Sequence, residues 1–448
     1  MANTLFWFTD DLRVHDNPAL LKAAQTSKTL TCVFCVEPRW DKANAFGTTA
    51  MSKKRHEFML ATLHRLSQQL RGFGQRLQLI TGPASQAITT LLLNNKFDRV
   101  VRSRRSGLYE QQAWQKIQQA VEPHRPNLSF EEEDSHTLFN LAQLPDFSPF
   151  PQSFSKFRKQ VSHLLPVAPE QKPLYLPAPT EIEIGALANT LLQEYTPATH
   201  TQGQIEGGEA AGLAHLADYF ASDAPSSYKQ TRNALQGWSQ STKLSIWLAN
   251  GSLSVRKTYD ALKHYEQLHG ANDSTEWIYF ELLWREYFFW LARHQQASLF
   301  LFGGEQNKKL LTSFYPQRFK QWCAGETPWP LVNACMKELN ATGFMSNRGR
   351  QIVASCLINE LQLDWRCGAA YFEQQLLDYE VGSNWGNWQY IAGVGADPRG
   401  GRHFNIEKQT KEHDPEGEFQ RRWLGPSYQQ TAQGRASIDT VDAADWPI

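Results

Sequence analysis

The chain holds 448 residues, 41% of them hydrophobic, which is enough for a large buried core shared among two or three domains and excludes an intrinsically disordered chain. Its 45 Lys and Arg offset 45 Asp and Glu, so any grip on nucleic acid has to come from a local basic patch rather than from whole-molecule attraction. With six cysteines, no apolar run of membrane-spanning length and acidic residues by position 10, the marks of a secreted or membrane protein are missing; a reducing, cytoplasmic setting and a monomer are expected.

The hydrophobic pattern predicts strand 5–8, a helix from Pro18 capped by Asn17, strand 30–36, helix 52–71 ending at Gly72, strand 77–81, helix 84–95, strand 99–103, helix 107–120 and strand 128–132. This alternation makes residues 1–133 a doubly wound α/β domain with a parallel sheet. Ligands of such sheets lie beyond the carboxyl ends of the strands, here 9–13, 37–40 and 102–110. The first strand is not followed by G-x-G-x-x-G, which weighs against a dinucleotide dehydrogenase. Cys32 and Cys35, three apart in a strand, point to opposite faces, so no redox pair or metal site is expected.

Eight prolines between Pro145 and Pro179 break up residues 134–206, which read as a long connector wrapped over the surface. Within it, 149–161 can begin a helix with Lys156, Arg158 and Lys159 on one side, for which a solvated face is the simplest account. Residues 207–425 read as almost wholly helical, and twelve of the 15 Trp lie beyond residue 237. The polar stretch 426–448 reads as a flexible tail.

Three clusters in the helical part carry candidate chemistry. In 226–256, Ser241, Thr242, Lys243, Leu244 and Ser245 open a helix, so hydroxyls, backbone N–H groups and one cation converge where a pyrophosphate would fit; the same run also reads as a plain helix cap. In WIYFELLWREYFFWLARH (277–294), Glu281, Trp284 and Arg285 share a helix face, either as a site or as an amphipathic core helix with a chance Glu–Arg pair. In 343–390, Arg350 begins a helix with Val353, Ala354, Leu357 and Ile358 on its face. A guanidinium there calls for a carboxylate, and Asp378 is the candidate. That pair is either a structural strut or part of a site with the polar and aromatic run 383–388.

SNRGRQ (346–351), DWR (364–366), SNWGNW (383–388) and AGVGADPR (392–399), in this order, resemble the photolyase/cryptochrome family and specifically its DASH branch, over residues 6 to about 424. The resemblance implies an all-α C-terminal FAD-binding domain after the α/β domain and connector. Tyr228 and the run Ser241, Thr242, Lys243, Leu244 and Ser245 would grip the FAD phosphates and ribityl chain. Arg350 and Asp378 would set the field beside the flavin ring, Asn384 would face its N5, and Glu380, where relatives usually carry Asp, would supply a backbone contact.

The resemblance also implies that Glu281 hydrogen-bonds a flipped pyrimidine dimer and Trp284 stacks on it. Arg232, Arg285, Asn347, Arg348, Gln351, Tyr390 and Gln409 would line the DNA side. Glu110 matches an acidic position that contacts a folate antenna such as 5,10-methenyltetrahydrofolate; Tyr109 beside it departs from the better-known folate binders, and a solvated helix-face Glu is the other reading. Trp388 and Trp365 match the first two members of an electron relay whose third position is Thr312 here, with Tyr315, Trp322 and Trp329 as candidate substitutes.

Gln351 and Tyr390 stand where duplex-repairing photolyases tend to have Met and Trp, which implies a weaker hold on a dimer drawn out of a duplex. The reading is therefore a FAD-dependent, blue-light lyase of the deoxyribodipyrimidine photolyase type, acting on pyrimidine dimers in single-stranded or looped DNA. A non-enzymatic photoreceptor or DNA-binding regulator with the same flavin pocket is the alternative. A flavin oxidoreductase working in darkness would need a nicotinamide site, and the sequence offers none.

Overall fold

The computed structural model describes residues 2–182, 205–395 and 400–425. The tail predicted over 426–448, the last part of the connector and the end of the AGVGADPR motif lie outside the described residues. Five strands, β1 (Ala2–Phe8), β2 (Ser27–Val36), β3 (Leu77–Thr81), β4 (Arg99–Ser103) and β5 (Ser129–Glu133), form one sheet in the order β3-β2-β1-β4-β5. Every pairing is parallel. Four helices connect them: α1 (Pro18–Thr26), α2 (Lys53–Gly72), α3 (Ala84–Asn94) and α4 (Leu108–Val121).

The strands are covered on both faces, as a parallel sheet requires. Phe6, Phe8 and Phe34 pack with Leu20, Leu63 and Leu66 on one face, while Leu5, Trp7 and Val33 pack with Ile88, Leu92 and Trp114 on the other. Cys32 and Cys35 fall in these two separate clusters, both as free thiols. Asn17 caps α1 by accepting from the Leu20 N–H at 3.1 Å, and Ser52 caps α2 through the Arg55 N–H.

After β5 the described chain carries α5 (Phe154–Val161) and then twelve helices: α6 (Glu209–Phe220), α7 (Ala224–Thr231), α8 (Ser245–Ala249), α9 (Val255–His269), α10 (Asp273–Gln295), α11 (Pro316–Ala324), α12 (Pro330–Thr342), α13 (Asn347–Ser355), α14 (Trp365–Gln375), α15 (Val381–Ala392), α16 (Ile406–His413) and α17 (Glu418–Leu424). The central one is α10, started by a reciprocal Asn272/Thr275 cap and buried almost all round from Leu282 to Ala292. Helix α15 lies against it without side-chain clearance: a Cβ at Gly386 would come within 2.5 Å of the Phe288 ring. Among the described residues no helix is long and apolar enough to cross a membrane.

The sheet and the helical half are locked together at the carboxyl end of β1. Arg13, fully buried, donates to the carbonyls of Asp16, Ser135 and Gly251, the last at 2.9 Å. Glu209 at the start of α6 accepts from the Val14 N–H at 2.7 Å. Gly251 has φ +67°, and a Cβ there would overlap the Asp10 carbonyl, so only glycine lets the two backbones approach this closely.

Candidate functional site

The run Ser241 to Ser245 forms one wall of a cavity of about 250 Å³ inside the helical half. The run does open a helix containing Ile246, Trp247 and Leu248, but only its last residue is helical and its Ser and Thr do not cap it. Helix α8 begins only at Ser245 and is one turn long, Leu244 occupies its cap position without a side-chain cap bond, and Lys243 sits in the left-handed region at φ 52°. A left-handed residue cannot continue a helix backward, so Ser241 and Thr242 are spent on the cavity wall rather than on capping. Lys243 is 7% exposed, its ammonium lies 5.0 Å over the Phe344 ring, and that ammonium makes no hydrogen bond or ion pair with a described residue. Burial, opposed by Glu338, lowers its amine to about 8. A buried, unspent cation on a cavity wall suits an anionic ligand.

Arg350 and Asp378 meet on the same cavity. The guanidinium donates from Nη2 to both carboxylate oxygens at 3.0 and 2.8 Å and from Nε to the Met345 carbonyl, and the Ser245 hydroxyl adds a bond to Asp378 at 2.7 Å. Thus the Arg350 guanidinium turns away from the aliphatic residues that follow it: Val353 and Ala354 of α13, and Leu357 and Ile358 of the π turn Cys356–Glu360 that continues it, are buried in the core. Glu380 caps α15, accepting from the N–H groups of Gly382 and Ser383 at 3.1 and 2.7 Å. Asn384, one turn on and buried, donates its amide N–H to the Ala369 carbonyl at 3.0 Å, which fixes the side chain and leaves Oδ1 unspent.

The same cavity is lined by Glu281, Arg232, Arg285 and Asn347. Glu281 accepts through Oε1 from Arg232 at 2.5 Å and from the Trp277 indole N–H at 3.0 Å, and Arg232 also lies over the Trp277 ring at 4.8 Å. Burial raises the Glu281 carboxyl although Arg232 opposes it. Arg285 faces the cavity while bonding the Leu248 carbonyl. Trp284 does not line this cavity: it turns to the flank, where Phe154 of α5 stacks flat on it at 3.9 Å with 9° between the rings. Tyr390 meets Trp284 edge-on at 6.4 Å, and its hydroxyl accepts from Arg402 at 2.5 Å. Arg348 and Gln409 bond each other at 3.3 Å. Gln351, in α13, keeps a buried Oε1 without a partner.

Residues 4–177 match the family model of DNA photolyase, and residues 277–439 match that of the FAD binding domain of DNA photolyase. The chain is 49% identical over 446 residues to Cryptochrome DASH of Idiomarina loihiensis, covering 99% of this chain and 96% of that protein. It is 38% identical to Cryptochrome DASH of Synechocystis, covering 94% and 87%. The chain belongs to the photolyase/cryptochrome family, as a DASH-type member. The crystal structure of Synechocystis cryptochrome superposes with TM-score 0.88 at 37% identity, covering 94% of this chain and 88% of that one. A class III photolyase from Agrobacterium tumefaciens gives 0.78 at 27% identity, covering 95% and 86%.

Members of this family bind FAD, and the cavity fits that cofactor: the orphaned Lys243 cation and the Ser241 and Thr242 hydroxyls suit its phosphates, and Asn384, next in sequence to the cavity-lining Ser383, keeps an Oδ1 free that suits a ring N–H. The two relay tryptophans expected in a DASH-type chain are buried but their rings do not touch. Trp388 meets Phe372 at 5.2 Å and Trp322 at 6.2 Å, whereas Trp365 meets Trp385 at 5.8 Å. Of the three candidate substitutes for the tryptophan absent at Thr312, Trp322 touches Trp388 yet is fully buried, and Tyr315 is 37% exposed beneath Arg318. Trp329 is half-buried.

A second cleft of about 170 Å³ lies between the carboxyl ends of β1, β2 and β4 and the helical half, lined by Asp10, Glu37, Arg39, Arg105 and Glu110 among others. Glu110 is no solvated helix-face residue: Arg39 binds it at 2.9 Å. Burial would raise its carboxyl, but Arg39 and Arg105 outweigh burial and hold it below the usual carboxylate range. Tyr109 is exposed and lies under Arg39 at 5.1 Å.

Four residues escaped the sequence reading. Trp277 sits one turn before Glu281 in a cluster already singled out, so helical spacing was signal enough. Glu338, which burial pushes up to about 7 against Lys243, Phe154 and Arg402 come from distant segments and left no local signal.

Proposed function

We propose that this chain repairs cyclobutane pyrimidine dimers in single-stranded or looped DNA under blue light. The observation that supports it most is the placement of Glu281, a half-buried carboxyl with one oxygen uncommitted, on the same cavity as Lys243 and the Arg350–Asp378 pair. Reduced FAD, when bound and excited, supplies the electron that splits a dimer and receives it back.

The residues divide the remaining tasks. Lys243, Ser241, Thr242 and Tyr228 hold the phosphates and ribityl chain; Asn384 offers Oδ1 to the ring edge and brings no acidic proton with it. Arg350, paired with Asp378, sets the field beside the ring, and Glu380 fixes the first turn of α15 there. Glu281 accepts a hydrogen bond from the dimer, in a dry pocket where such a bond is strong. Trp284, on the helix that bears Glu281, and Tyr390 against its edge stand on the lesion side, with Arg232, Arg348, Asn347, Gln351 and Gln409 on the strand. Trp388 and Trp365 carry electrons inward for photoreduction. The second cleft, with Glu110, takes an antenna pigment of the folate type.

The test is repair itself. Ultraviolet-damaged oligothymidine is mixed with reduced protein, in darkness or under blue light, and dimer loss is followed by recovery of absorbance. Light-dependent recovery with many turnovers per protein is expected. Bound flavin with no recovery would replace this reading by that of a photoreceptor without repair activity.

A further inference from the structure

The connector helix α5 is left over from the functional reading, and it has two unlike sides. Its inner side, Phe154, Phe157 and Val161, is buried. Phe154 lies flat on Trp284 and meets Phe280 edge-on at 4.9 Å, so the helix is fastened to the very turn of α10 that bears Glu281. Its outer side presents Lys156, Arg158 and Lys159, all exposed. Arg158 arches over the Phe280 ring at 5.3 Å, beside Glu281 in sequence. None of the three cations has an ion pair with a described residue. Between Asp146 and Glu170 the chain carries no acidic residue. In a molecule of zero formal net charge, a cluster of three uncompensated cations packed against the turn of α10 that bears Glu281 is a local departure that solvation alone leaves without a purpose.

From this geometry we infer that α5 is a phosphate-binding platform: Lys156, Arg158 and Lys159 take the backbone of the single strand running away from the base held at Glu281. Phe154 ties the platform to Trp284, so strand and base are held in one register. The partner is fixed by charge complementarity, three cations against a polyanion, and by the small loss of side-chain packing that exposed lysines incur when they engage phosphate. This inference rests on the DNA-repair reading above and adds to it the path of the flanking strand.

The experiment measures binding of fluorescent (dT)16 carrying one dimer across a salt series, with the flavin-loaded protein and the variants Lys156→Glu/Lys159→Glu and Lys156→Ala/Lys159→Ala. Arg158 is kept so that its packing on Phe280 survives. Two lost phosphate contacts should make the slope of log affinity against log salt shallower by about 1.4 for a single strand. Repair of an isolated dimer dinucleotide, too short to reach α5, should stay unchanged. A charge-matched control, Lys96→Glu/Lys116→Glu, on exposed sites of the sheet domain, should keep the wild-type slope. An unchanged slope in both α5 variants, with dinucleotide repair intact, overturns the platform alone. Absence of both dinucleotide repair and strand binding in wild type removes the repair reading and the platform with it.

Discussion

Arg350 binds both carboxylate oxygens of Asp378 through one nitrogen, at 3.0 and 2.8 Å, and the Asp378 side chain is only 2% exposed. Removing one partner of such a pair strands the other. Asp378→Asn should therefore destabilise the flavin-free protein by about 3 kcal/mol, the lower end for a broken buried pair because Arg350 keeps some solvent. Urea denaturation measures this, and the ratio of absorbance at the flavin band to that of the protein should fall in the purified variant.

Glu281→Gln keeps the shape of the pocket but weakens the bond it accepts from substrate and its pairing with Arg232. A hydrogen bond to a charged group is worth about 1.5–3 kcal/mol, so repair per photon should fall roughly 10- to 100-fold. Flavin content should be unchanged, because Glu281 bonds Arg232 and Trp277 and not the Ser241–Ser245 run. Equal loss of flavin and repair would mean that Glu281 acts through the cofactor.

Trp388→Phe should abolish photoreduction under steady blue light with a thiol donor, followed at the flavin absorbance band. Thr312 stands where the relay reading expects a third tryptophan, and among the described residues its buried hydroxyl has no partner. Thr312→Trp should therefore speed photoreduction severalfold. If Trp322→Phe instead stops it, electrons leave Trp388 through its 6.2 Å contact with Trp322.

Glu286 accepts from the Leu138 N–H and the Trp290 indole at 2.8 Å each, and burial pushes its carboxyl up from 4.5 to about 7. A native pKa above the unfolded one means the folded state binds the proton more tightly. Its contribution is complete below pH 4.5 and is lost as pH rises to about 7, a change on the order of 2–3 kcal/mol. Denaturation of wild type minus Glu286→Gln, across that window, should show this slope. The variant gives up one hydrogen bond, about 1 kcal/mol, at every pH.

Tyr390→Trp should extend repair toward duplex DNA. A larger ring at position 390 adds stacking worth up to roughly 1–3 kcal/mol, comparable with the few kcal/mol needed to draw a dimer out of a duplex. Competition between single-stranded and duplex lesion DNA would reveal the shift. Equal repair of both by wild type would remove the basis of the single-strand preference.

Much of this molecule is local enough to be legible in one dimension. Asn17 before Pro18 marks the start of α1, Gly72 closes α2, and the alternation of apolar segments specifies a parallel sheet, because capping and burial periodicity act over a few residues. The need of Arg350 for a carboxylate, with Asp378 as its partner, could also be read, since a cation in an apolar segment is costly without one. Tertiary structure alone decided the rest. Lys243 is left-handed and unpaired because the cavity wall, not the local propensity of Ser-Thr-Lys, sets its backbone. Glu110 is paired because β2 brings Arg39 to it, and Trp284 turns aside because Phe154 arrives from the connector to cover its ring. Those relations join residues far apart in the chain, and their energies exist only after the chain has closed on itself.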